Sequence, residues 1–174
     1  EYLYRVGSAQ YGYFSDVYTF KTAPSQNNAA FEVLLISDPQ AFTNTAYEKI
    51  GEILSKMDKV FENGYDFVIN TGDLVDNSKN VTQYDFYLNT LMGYWANTTH
   101  VVAVGNHGKY SFELKDDYNV SSDDVFVEEY NYMLMHFNFN LPEQDLSTGA
   151  YYSFDYSGVH FTVLNTNDIV DDKL

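Results

Sequence analysis

Cysteine is absent from the 174 residues, which excludes disulfides, thiolate nucleophiles and cysteine-based zinc sites and leaves the redox compartment open. Cations are scarce: 9 Lys and Arg stand against 25 Asp and Glu, a net charge of -16. That balance argues against broad nucleic-acid contact, because phosphate backbones are held by cationic side chains. An anionic substrate would have to be captured locally, by bound cations. The acidity concentrates in Asp116-Asp117, Asp123-Asp124, Glu128-Glu129 and Asp171-Asp172, runs that read as solvated surface. No stretch reaches the roughly 18 apolar residues of a membrane span. The opening residues also lack the charged-then-apolar order of a signal segment. There is no internal repeat and no low-complexity segment.

What is present is a 45% hydrophobic content, enough for the core of one domain. Tyr2 to Gly7 and Val17 to Thr22 alternate apolar and polar residues around a Gly/Ser/Asp loop and read as a β-hairpin or two adjacent strands. Ala23 to Asn28 is small and polar, a linker into the next unit. From Phe31, strand and helix patterns alternate. Thr45 and Glu48 have capping-box spacing, after which Ala46, Ile50, Ile53, Leu54, Met57, Val60 and Phe61 follow helical periodicity as far as Gly64. A second helix is predicted over about Val81 to Trp95, with Tyr84, Tyr87, Leu88, Leu91 and Trp95 on one face. A third is predicted over about Asp123 to Phe137. Ala150 to Asp155 and Val159 to Leu164 flank Tyr156-Ser157-Gly158 as a hairpin. The result is a βαβαβ unit with parallel strands. The 17 Tyr and 13 Phe fall mostly at core spacing, so they read as packing rather than as a sugar-binding surface.

Three short apolar runs each lead into residues able to bind a metal. Val33 to Ser37 ends in Asp38, Phe67 to Thr71 in Gly72-Asp73, and Val101 to Val104 in Gly105-Asn106-His107. In open α/β sheets, ligands sit beyond the carboxyl ends of such strands, so these side chains should converge on one crevice. Singly, each motif is weak, since an Asp after a strand is often a helix cap. Their order, with Asp73 35 residues after Asp38 and Asn106 33 residues after Asp73, is more specific.

In that order the chain resembles the calcineurin-like metallophosphoesterases, whose blocks begin D-x-H, G-D and G-N-H-D/E. Gly149 to Tyr156 and Val159 to Thr166 are similar to the purple acid phosphatase branch. Tyr4 to Gly7 and Phe20 to Pro24 look like the last strands of the fibronectin type III-like domain that precedes the catalytic domain there. The resemblance implies a metallophosphatase-type α/β sandwich with a βαβαβ core, incomplete at the C-terminus and carrying a short β segment at the N-terminus. Residues 1–24 would be the fibronectin-like strands, 25–30 a linker, and 31–174 the N-terminal part of the metallophosphoesterase domain. It further implies Asp38 as ligand of a first metal, Asp73 as bridge, Asn106 as ligand of a second, and His107 contacting the phosphoryl group and assisting the leaving oxygen. The cofactors would be two divalent or trivalent ions, Fe, Mn, Zn or Mg, to suit hard oxygen donors. The reaction would be hydrolysis of a small phosphorylated substrate, with two cations polarising the phosphoryl group. Export from the cell is the expectation for this branch.

Four departures qualify the match. Gln40 stands for the histidine of the first block, and Asp76 for the ligand tyrosine of purple acid phosphatases; either is a substitute oxygen ligand or a hydrogen-bonding support. Gly108 replaces the acidic residue after Gly-Asn-His. The family's later histidine ligands follow the last hairpin, whereas His100, His136 and His160 read as structural. The chain is therefore expected to be part of a longer phosphoesterase or a degenerate relative. Two alternatives stay open: a non-catalytic extracellular interaction module on a phosphatase scaffold, and a metal-dependent phosphodiesterase or nucleotidase.

Overall fold

The computed structural model describes residues 1–61, 64–78, 80–107, 137 and 151–165. At its centre, β5 (Val33–Ile36), β6 (Phe67–Asn70) and β7 (Thr99–Val102) form a parallel sheet in the order β5-β6-β7. Apolar and β-branched residues favour these extended segments, and the crossover helices supply the cover that a parallel sheet needs. The third strand was expected over Val101 to Val104 but runs two residues earlier. Val104 remains buried beyond its end because the chain has already turned toward the β6 loop, where Asp73 N donates to Val104 O at 3.3 Å.

The crossovers are α1 (Asn44–Met57) and α2 (Val81–Trp95). The predicted capping box at Thr45 does not form. The N-cap is Thr43, without a side-chain cap bond, and Glu48 instead accepts from the Asn44 amide at 2.9 Å. The helix also stops at Met57 rather than near Gly64. Val60 lies exposed in the following turn, so helical spacing of apolar residues overran the point where the backbone leaves the core. The second helix has the predicted bounds, and its N-cap Asn80 accepts from Thr82 N at 3.0 Å.

One face of the sheet meets both helices: Leu34, Val68 and Val102 pack with Tyr47, Leu54, Tyr84, Tyr87 and Leu91. Full burial of each Leu contributes about 1.5–3 kcal/mol. The other face carries Phe67, against which the hairpin β8 (Tyr152–Tyr156) and β9 (Val159–Val163) lays Tyr156 and Phe161, with ring centroids 4.9 and 5.6 Å away. Ser157 and Gly158 form its two-residue turn, both at positive φ (49° and 82°), as a turn matching strand twist requires. Helices on one face and a hairpin on the other make the α/β sandwich.

At the start of the chain β1 (Tyr2–Tyr4) pairs with β4 (Tyr18–Phe20), as expected, but the loop between them holds a second rung, β2 (Gly7–Ser8) with β3 (Tyr13–Phe14). This segment docks on the end of α2: the Tyr4 hydroxyl donates to Ala96 O at 2.6 Å, and Thr19 N to Asn97 Oδ1 at 3.1 Å. The helix predicted over Asp123 to Phe137 lies, apart from Phe137, outside the described residues, as does His136. Among the described residues, no helix is long and apolar enough to cross a membrane.

Candidate metal centre

Each parallel strand ends in a loop on the same edge of the sheet, and the loops are knitted together. Thr71 N donates to Ile36 O at 3.1 Å and Ala103 N to Asn70 O at 2.8 Å. Asn70, fully buried, accepts from Gly72 N at 3.0 Å and so shapes the turn into Asp73. The buried Tyr47 hydroxyl, 3.0 Å from Leu74 O and 3.2 Å from Ala41 N, joins the Asp73 loop to the Asp38 loop. Nothing in helical spacing distinguishes that Tyr from its core neighbours, so its place between the loops was missed in the sequence.

Glycine is needed where the β6 and β7 loops cross. Gly72 lies at φ 130°, and a Cβ there would sit 2.6 Å from Gly105 Cα; one on Gly105, at φ 70°, would collide with the Asp73 side chain. Asp38 and Asp73 themselves adopt left-handed backbone, at φ 50° and 53°. Such non-glycine conformations persist only where the surroundings enforce them, and they cluster at functional sites.

The structure brings Asp38, Asp73, Asp76 and His107 together. Asp73, 5% exposed, accepts from His107 N through Oδ1 at 2.7 Å. Its carboxyl is raised above the usual carboxylate range by burial first and then by the adjoining Asp38 carboxyl, against the lowering pull of the His107 amide. Two acidic groups are thus held together at the edge of the sheet. His107 Nδ1 lies 2.7 Å from Asp76 O and 3.5 Å from Asp76 Oδ1. A carbonyl only accepts, so Nδ1 carries the hydrogen and Nε2 is the ring's free working atom. Asp76 therefore meets His107, a partner that the sequence, with Gly108 in the usual acidic position, did not supply. Asn106 is exposed in the same turn. Gln40 follows Asp38 by two residues, and its Oε1 is buried with no hydrogen-bond partner among the described residues.

Two apposed carboxyls, an amide oxygen in the facing turn and an orphaned amide oxygen nearby form a hard-donor set that fits a divalent cation. Among the described residues no group of three or more His, Asp or Glu gathers to hold one. His100 belongs to no such group: it is half-buried, stacked on Trp95 at a ring distance of 4.2 Å. His160 pairs with Asp155 at 2.7 Å on the exposed hairpin.

The family model for calcineurin-like phosphoesterase matches residues 31–173. The chain belongs to that family. A purple acid phosphatase isolated from yellow lupin (Lupinus luteus) seeds has the same fold, at a TM-score of 0.55 and 17% identity over 82% of this chain. The chain spans 25% of the length of that protein. Comparison with curated protein sequences finds no match. Family membership agrees with the resemblance carried by Asp38, Gly72-Asp73 and Gly105-Asn106-His107.

Proposed function

We propose that the protein hydrolyses phosphate monoesters at a two-metal centre to which this chain contributes Asp38, Asp73 and Asn106. The observation that carries the reading is the apposition of the Asp38 and Asp73 carboxyls in positive-φ loops at adjacent strand ends, beside the His107 turn. Two like charges held together without a cation are mutually destabilising, and a cation reverses the sign of that interaction. Bound cations supply Lewis-acid polarisation of the phosphoryl group. Asp73, oriented by His107 N, would be shared between the cations, and Gln40 Oε1 would be the substitute donor for the missing histidine. His107 directs Nε2 at the phosphoryl group; when the ring is doubly protonated, with Nδ1–H held by Asp76 O, Nε2–H gives its proton to the leaving oxygen and the ring returns to the neutral Nδ1–H tautomer. Asp76 is thus a positioning residue rather than a ligand.

The test is metal content together with p-nitrophenyl phosphate turnover, in the protein and in its Asp73→Ala variant. Bound metal and turnover that both vanish with Asp73→Ala are the expected outcome. Absence of metal in the parent protein would leave a non-catalytic scaffold, the reading favoured by the missing third carboxylate or imidazole among the described residues.

A further inference from the structure

The Asp38 carboxylate does not stand alone at the end of β5. The Ser37 hydroxyl is hydrogen-bonded to Asp38 Oδ2, and the Thr71 hydroxyl lies 2.8 Å from Ser37 Oγ. The three side chains come from the ends of two neighbouring strands, which the bond from Thr71 N to Ile36 O holds in register. An ionised carboxylate only accepts, so Ser37 must spend its single hydrogen on Asp38; Thr71 must then donate to the Ser37 oxygen. The direction is therefore fixed: Thr71 to Ser37 to Asp38. Hydrogen bonds in such a chain polarise one another, and the last, to a charged acceptor, is the strong kind. Thr71 is β-branched with a stiff χ1, and its backbone is tied to β5, so the start of the chain is anchored.

We infer that Thr71 and Ser37 form a hydroxyl relay that positions Asp38 for cation binding by engaging its Oδ2. This rests on the metal-centre reading above. Neither residue touches the phosphoryl group; both act through Asp38. Groups that orient a ligand in this way typically change metal affinity by about 10–100-fold when removed.

The experiment is calorimetric titration of the metal-free protein with Mn2+, comparing Ser37→Ala, Ser37→Thr, Thr71→Val, Thr71→Ser and Asp38→Ala, with a thermal melt of each to confirm folding. Ser37→Ala should weaken Mn2+ binding by about 10-fold or more, and Thr71→Val by less, because the Ser37 bond survives it. Ser37→Thr and Thr71→Ser, which keep the hydroxyls, should bind close to the parent. Parent-like affinity in Ser37→Ala alongside lost binding in Asp38→Ala would overturn the relay and leave the metal centre standing. Ser37→Thr as weak as Ser37→Ala would also overturn it, since shape rather than the hydroxyl would then be responsible. No Mn2+ binding by the parent protein would overturn the metal reading and the relay together.

Discussion

At Asp73 the demands of folding and of ligand binding oppose each other. Burial and the neighbouring Asp38 raise its carboxyl above the ordinary range, so the folded state holds the proton more tightly than the unfolded chain does. For an acid the sign is then clear: stability is lost as pH rises from the unfolded value through the folded one. Asp73→Asn removes the charge yet keeps an oxygen to accept from His107 N. The metal-free Asn variant should therefore melt at a higher temperature than the parent at pH 7, with the gap closing toward pH 3, while losing Mn2+ binding. Equal melting temperatures at pH 7 would show that the pair carries no repulsion. Such stabilisation by loss of function is the usual trade at a built site.

At the scale of elements, a side chain from the hairpin holds the outer edge of β7. The Tyr152 hydroxyl, from β8, lies 3.0 Å from Val102 N and 2.7 Å from Val102 O, accepting from the first and donating to the second. It satisfies both main-chain groups of a residue whose strand has, among the described residues, no further partner in its sheet, and it anchors the β8–β9 hairpin to that sheet. Tyr152→Phe would leave both groups unmet and should lower stability by about 1–3 kcal/mol, read as a shift of the urea midpoint at constant slope. An unchanged midpoint would mean that water replaces the hydroxyl freely. This contact was not legible in the sequence, where Tyr152 looked like one more alternating strand residue. The parallel strands and α2 were legible because their signals are local: apolar runs and helical spacing. The end of α1 was not, since the apolar spacing of Val60 and Phe61 continues past the turn at Asp58. The site was read as a set of strand-end residues. What spacing could not supply was who meets whom: Asp76 with His107, Tyr47 between two loops, and the hydroxyls behind Asp38. Asn80 and Asn97 likewise take up structural work that spacing does not show, capping α2 and receiving Thr19 N.

For the molecule as a whole, the pH range of the folded state is set in part outside the proposed metal centre, in the aromatic cluster beside α2. His100 is stacked on Trp95, 3.3 Å from the Tyr87 hydroxyl and edge-on to Phe137, and burial pushes its pKa down to about 3. In the unfolded chain the same imidazole titrates near its ordinary value of about 6.5. Between those values the unfolded state takes up a proton that the folded state refuses, so stability falls as pH falls, beginning near 6.5. From pH 7 to pH 5 the loss amounts to about 2 kcal/mol, a large share of the 5–15 kcal/mol typical of a whole domain. Other groups titrate over the same range, and comparison with His100→Gln, neutral at every pH, separates them. Urea unfolding at pH 7 and pH 5 should show the parent losing about 2 kcal/mol more than the variant over that interval. Equal losses would mean that His100 is protonated in the folded state and that the cluster opens to admit water. If the proposed activity is tuned to acid conditions, it then operates where this cluster weakens the fold. Metal bound at Asp38 and Asp73 would counter that weakening by binding the folded state alone, so the metal-loaded protein should resist acid better than the metal-free one.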